Sequence, residues 1–153
     1  MLSMRYKTVQ EILDQAAELH ARIAEQARQA AETQDRQRLS LVLDYLADHQ
    51  ASLKQAIQSF KGDAADRVLA TWFDRSPEME LSALSAKALA DADGVDELIE
   101  TVMQFHDQII SLYGNLRDQA VVDEVRAVFS NLAELETHEK MELIQTTRQL
   151  QDI

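Results

Sequence analysis

The chain has 153 residues, 46% of them hydrophobic, with three glycines, one proline, no cysteine and a formal charge of −12. That length suits one compact domain, and a composition rich in Ala, Leu, Glu, Gln and Arg but poor in breakers predicts an all-α fold. The acidic balance excludes nucleic acid and disfavours an anionic membrane, since no Lys/Arg cluster is present, while the lack of cysteine excludes disulfides, thiolate metal sites and a thiol nucleophile.

The first residues, MLSMRYKTVQEILD, hold no uninterrupted apolar run, and no later stretch approaches the roughly 18 apolar residues of a spanning helix. A soluble, cytoplasmic protein is the expectation. "TVQE" at 8–11 has the form of a capping box, followed by the apolar series Val9, Ile12, Ala16, Leu19, Ile23, Ala30, and predicts a first helix over about 8–33. The polar stretch "TQDRQR" ends it. A second series, Leu39, Val42, Leu46, His49, Leu53, Ala56, Phe60, alternates spacings of three and four and predicts a helix over about 36–61.

Periodicity degrades over 62–94, where "DAADRVLATWF" suggests a short helix, "RSPEMELS" holds the one proline and "DADG" is turn chemistry. Val95, Leu98, Val102, Phe105, Ile109, Leu112 and Leu116 then mark a third helix over about 95–117, and a fourth occupies about 120–151. Two hairpins joined by more than thirty residues predict a single four-helix bundle domain whose crossover between helices two and three travels the length of the bundle. An up-down bundle with a decorated loop is the alternative.

In "LAELETHEKMEL" at 132–143, Glu136 and Glu139 occupy positions where the series Val122, Val125, Phe129, Leu132, Leu143, Leu150 calls for apolar residues. An unpaired buried carboxylate costs several kcal/mol unless it is protonated, paired or bound to a cation. The four histidines fall one per helix. At a rise of 1.5 Å per residue, His20 and His49 both lie roughly 21–22 Å from the first turn, and His106, Glu136 and Glu139 also reach mid-bundle. His138 sits beside the seam and is expected to be peripheral. Since the inward series of the first three helices hold no Lys or Arg, the candidate set is His20, His49, His106, Glu136 and Glu139. Converging carboxylates and imidazoles suit a transition-metal site; a polar layer of Glu–His hydrogen bonds that fixes register is the equal alternative.

On these features the chain resembles the ferritin-like superfamily, and its rubrerythrin-like branch in particular. In that family one Glu comes from each of helices one and three and a Glu-x-x-His pair from each of helices two and four. Here "ETHE" puts Glu136 in the Glu slot and Glu139 in the His slot. "LADH" puts His49 in the His slot and Leu46 in the Glu slot. "FHDQIISLY" puts His106 in a Glu slot seven residues before Tyr113, with Asp107 as the adjacent alternative, and "AELHARIAE" offers Glu18 or His20. The resemblance implies one or two ions of Fe, Mn or Zn at mid-bundle, with redox activity. The competing expectation is a non-enzymatic helical module that lost the site and acts by association with itself or with an unidentified protein. No phosphate loop, nucleophile elbow or His-Glu-x-x-His motif is present.

Overall fold

In a computed structural model, residues 4–77 and 89–151 are described. In chain order they form β1 (Met4–Thr8), α1 (Val9–Thr33), α2 (Gln37–Asp63), α3 (Asp66–Leu69), β2 (Trp72–Pro77), α4 (Val95–Gln119) and α5 (Asp123–Gln151). The middle of the crossover expected over 62–94 lies outside the described residues.

The capping box forms as the sequence requires. Glu11 donates its backbone N–H to Thr8 Oγ1 at 3.1 Å while Thr8 donates its own to the Glu11 carboxylate, so orphan amides at the helix start are satisfied reciprocally. One face of α1 then carries Ile12, Ala16, Ile23, Ala27 and Ala30, all buried. Small side chains along that face let α2 lie close alongside. The pairs Lys61–Asp14 at 2.6 Å and Arg28–Asp48 at 2.9 Å fix the two as antiparallel neighbours. In the second hairpin the Tyr113–Phe129 ring contact at 6.3 Å and the contact between His106 and Glu136 do the same for α4 and α5.

The connection starts and ends at opposite ends of the bundle. Val9 N–H donates to Thr71 O at 2.9 Å, which ties residue 71 to the start of α1. Gln34, just past the end of α1, donates to Ala90 O, and the Arg36 guanidinium donates to the carbonyls of Ala92 and Asp93. Between 71 and 90 the chain therefore passes from one end of α1 to the other, about 37 Å for a 25-residue helix. It follows that α4 runs parallel to α2, as a four-helix bundle with a long crossover demands. The up-down alternative is overturned.

A two-stranded antiparallel ribbon departs from the all-helical expectation. It pairs Thr8 with Trp72 and Lys7 with Phe73, with a register irregularity between Arg5 and Lys7. The ribbon is anchored where Phe73 packs edge-on against Phe129 at 5.5 Å, so residues too few to form a sheet alone are held by the bundle core. Helical periodicity carries no signal for such a pairing, because its partners stand some seventy residues apart.

Candidate functional site

Four side chains, one from each long helix, close a ring at mid-bundle. His20 Nδ1 lies 2.5 Å from Gln50 Oε1, and His20 Nε2 lies 2.6 Å from Glu136 Oε1. His106 Nδ1 is 2.9 Å from Glu136 Oε2, and Gln50 Nε2 is 3.0 Å from His106 Nε2. All four residues are fully buried. The ring thus replaces the expected direct meeting of five ligands with a cycle of four hydrogen bonds.

The neighbours of each histidine explain why it turns inward. His20 stands on the buried face between Ala16 and Ile23, with Phe105 edge-on at 6.0 Å; His106 follows Phe105 on α4 and lies 6.1 Å from the His20 ring. The open choices on helices one and three are decided by this packing. Glu18 faces solvent and pairs with Arg22, and Asp107 faces solvent and pairs with Lys140. His20 and His106 hold the inward positions.

Donor and acceptor accounting closes without a remainder. With His20 protonated on both nitrogens, Nδ1–H donates to the Gln50 carbonyl and Nε2–H to the Glu136 carboxylate. The Gln50 amide N–H donates to His106 Nε2, and His106 Nδ1–H donates to the other Glu136 oxygen. Each contact holds one hydrogen and each acceptor is used. Charges follow the same pattern. Burial alone would raise the Glu136 carboxyl, but the His20 charge and the hydrogen bonds from His106 and His20 outweigh it and hold the group at about 2. Burial alone would lower His20, but the Glu136 charge and the hydrogen bonds His20 donates to Glu136 and Gln50 outweigh it, and the net shift is upward.

The remaining two predicted residues meet elsewhere, in the groove between α2 and α5. His49 Nε2 lies 2.8 Å from Glu139 Oε2, yet the angle makes no hydrogen bond, and both ring nitrogens of this buried imidazole are without a hydrogen-bond partner. Burial, reinforced by the neighbouring His106, pushes His49 down to about 4, so its ring is neutral at pH 7. Burial and the charge of Glu142 push Glu139 up. On the solvent side, ligand-type atoms of His138, Glu139 and Glu142 lie within 4.8 Å of one another. His138 is exposed, as its place beside the seam predicts, and yet it joins this cluster. Among the described residues this is the one such convergence of three His or acidic groups.

Gln50 is the residue that seam reasoning overlooks. A signal was present: 50 lies four after Leu46 and three before Leu53, so the buried face of α2 passes through Gln50 as well as His49. Tyr113 is a second buried polar group, fully enclosed, with its hydroxyl unpartnered and its phenol pushed well above the usual range by burial and by Glu136. Tyr113→Phe is therefore expected to raise stability by about 1–3 kcal/mol, the cost of an unsatisfied buried hydroxyl, in urea unfolding at pH 7. An equal loss would mean that the hydroxyl has a partner.

The fold and this mid-bundle polar layer define the class: the chain has a ferritin-like fold. A crystal structure at 2.30 Å from Thermotoga maritima, of a protein proposed to be a ferritin-like diiron-carboxylate protein, is similar over 94% of this chain and 97% of that one, with a TM-score of 0.61 and 15% sequence identity. No family model and no curated protein matches the sequence.

The mid-bundle donors do not fit a pair of carboxylate-bridged irons. Glu136 is the one fully buried carboxylate among the described residues, both of its oxygens are taken by imidazoles, and the buried Leu46 occupies a slot where the resemblance calls for Glu.

Proposed function

We propose that this ferritin-like bundle binds one divalent transition-metal ion in the α2–α5 groove, through Glu139 with His138, Glu142 and the inward His49. The observation that carries this reading is His49. A buried neutral imidazole with two unpartnered nitrogens, 2.8 Å from a carboxylate of a three-residue cluster, is short of a bond that a cation would supply. Two imidazoles and two carboxylates suit Zn²⁺, Fe²⁺ or Mn²⁺. The formal charge of −12 raises the local concentration of any cation.

In this reading the protein is cytoplasmic and nearest to the rubrerythrin-like branch, whose slots "ETHE" and "LADH" echo. No helix among the described residues is long and apolar enough to cross a membrane. Two-electron chemistry with dioxygen would call for a second ion close to the first, and the nearest buried carboxylate, Glu136, is already committed to two histidines. Metal binding rather than oxygen activation is therefore the proposed role. The competing reading is association with a second copy or another helical protein, for which Leu41, Trp72, Val121, Val122 and Met141 are the exposed large apolar side chains among the described residues.

The test is a Zn²⁺ titration by calorimetry at pH 7 on untagged protein. One equivalent is expected to bind and to raise the melting midpoint by several degrees, through the linkage of binding to folding. Glu139→Gln should weaken binding at least about tenfold. Failure of the parent chain to bind stoichiometric metal, or an unchanged affinity in Glu139→Gln, would reject the groove site.

A further inference from the structure

The ring raises a question that the groove site does not answer: what keeps metal out of a mid-bundle layer that holds two histidines and a glutamate? A histidine that binds a metal through one nitrogen carries its hydrogen on the other, and that N–H needs an acceptor. With an ion on His20 Nε2 and His106 Nδ1, the outward-facing groups would be His20 Nδ1–H and His106 Nε2–H. Both point at the same Gln50 amide, at 2.5 and 3.0 Å.

That amide offers one acceptor face and one donor face. Whichever way it is turned, one N–H of an imidazole would meet an N–H of the amide. In a fully buried site that mismatch leaves a donor without its acceptor, and an unsatisfied buried donor costs about 1–3 kcal/mol. In the ring as it stands, the same amide donates to one imidazole and accepts from the other. Gln50 thus fits a ring closed by hydrogens and opposes a ring closed by an ion.

We propose that Gln50 is the residue that decides what the mid-bundle layer holds: its amide locks His20, His106 and Glu136 into a metal-excluding hydrogen-bond ring, and a carboxylate at position 50 would turn the same three side chains into a metal site. A carboxylate has two acceptor oxygens, one for each outward N–H, and its negative charge favours the cation. The ring shares no side chain with the groove cluster around Glu139, so a metal at one is told from a metal at the other by substitution.

The experiment uses the full chain carrying His138→Gln and Glu139→Gln, so that two of the four groove ligands are removed, with Co²⁺ as the probe. This background is expected to take up no stoichiometric Co²⁺. Adding Gln50→Glu is expected to create one site, bound at least about 100-fold more tightly than in the background, with the visible absorption of low-coordinate Co²⁺. Glu136→Gln on top of it should abolish that absorption. A background that already binds one equivalent, lost on Glu136→Gln, would overturn the proposal, as would a folded Gln50→Glu chain that gains no metal.

A second measurement serves if Gln50→Glu fails to fold. Nitrogen NMR of the unmutated chain should find His20 protonated on both nitrogens and His106 with its hydrogen on Nδ1, and the signals should stay in place when Zn²⁺ is added. Metal-induced shifts at His20 and His106 that persist in the groove-deleted background would overturn it.

Discussion

Glu136→Leu is expected to lower the free energy of unfolding by about 3–5 kcal/mol, the largest effect of any single substitution at mid-bundle. Its carboxylate accepts from two imidazoles, one of them charged, and none of the three is exposed. Removing it leaves an imidazolium and an N–H in an apolar interior with nothing to accept from them. The loss is one of pairing rather than of packing, since Leu fills a comparable volume.

A companion variant makes that distinction measurable. Replacing His20, Gln50, His106 and Glu136 together by leucines removes every polar group of the ring at once, and such replacements of buried ionic networks are often neutral or stabilising by about 1–4 kcal/mol. Urea unfolding of the two variants at pH 7 should therefore move in opposite directions, or leave the quadruple variant near the parent. A single Glu136→Leu chain more stable than the parent would mean that the carboxylate holds no charged partner.

Stability is expected to peak near pH 6.5 and to fall on both sides. His49 has its pKa lowered from 6.5 to about 4, so its contribution is fully present above pH 6.5 and is lost as the pH falls toward 4, where the unfolded chain takes up a proton that the fold refuses. At 1.36 kcal/mol per unit this amounts to about 3 kcal/mol. Glu136 is lowered from 4.5 to about 2 and extends the loss further into acid. His20 is raised above 6.5, so its contribution is present below 6.5 and is lost as the pH climbs through its folded value. Glu139, also raised, adds a loss with increasing pH that begins near 4.5 and partly offsets the acid limb of His49.

Thermal unfolding between pH 4 and 9 in a metal-free buffer checks this. His49→Phe should flatten the limb between 6.5 and 4 and leave the alkaline limb in place. A parent curve that is level from pH 4 to 6.5 would contradict the burial of a neutral His49.

How much of this was legible in the sequence follows from the range over which each signal acts. Helix spans are set by local periodicity and by caps, so Thr8 and Glu11 fixed the start of α1 to the residue, and the boundaries of the other long helices fell within about three. The length of the connection between Asp63 and Val95 was enough to predict a crossover, because chain length limits what a loop can span. Depth along a helix is also local arithmetic, and it placed His20, His49, His106, Glu136 and Glu139 in one layer.

Which of those side chains touch was decided only by the tertiary structure. A rise of 1.5 Å per residue gives height but leaves the rotation of each helix free by tens of degrees, and that rotation separates Gln50 from His49 as the member of the ring. The choice between Glu18 and His20, and between Asp107 and His106, turned on the same freedom, settled when the phenyl of Phe105 and the alanine face of α1 packed. The pairing of β1 with β2 needed contacts between residues far apart in the chain. The sequence by itself determined a helical bundle with polar groups at its middle; tertiary packing sorted those groups into a closed ring and an outward-facing groove, because hydrogen-bond partners are chosen by rotation and distance, which no single helix records.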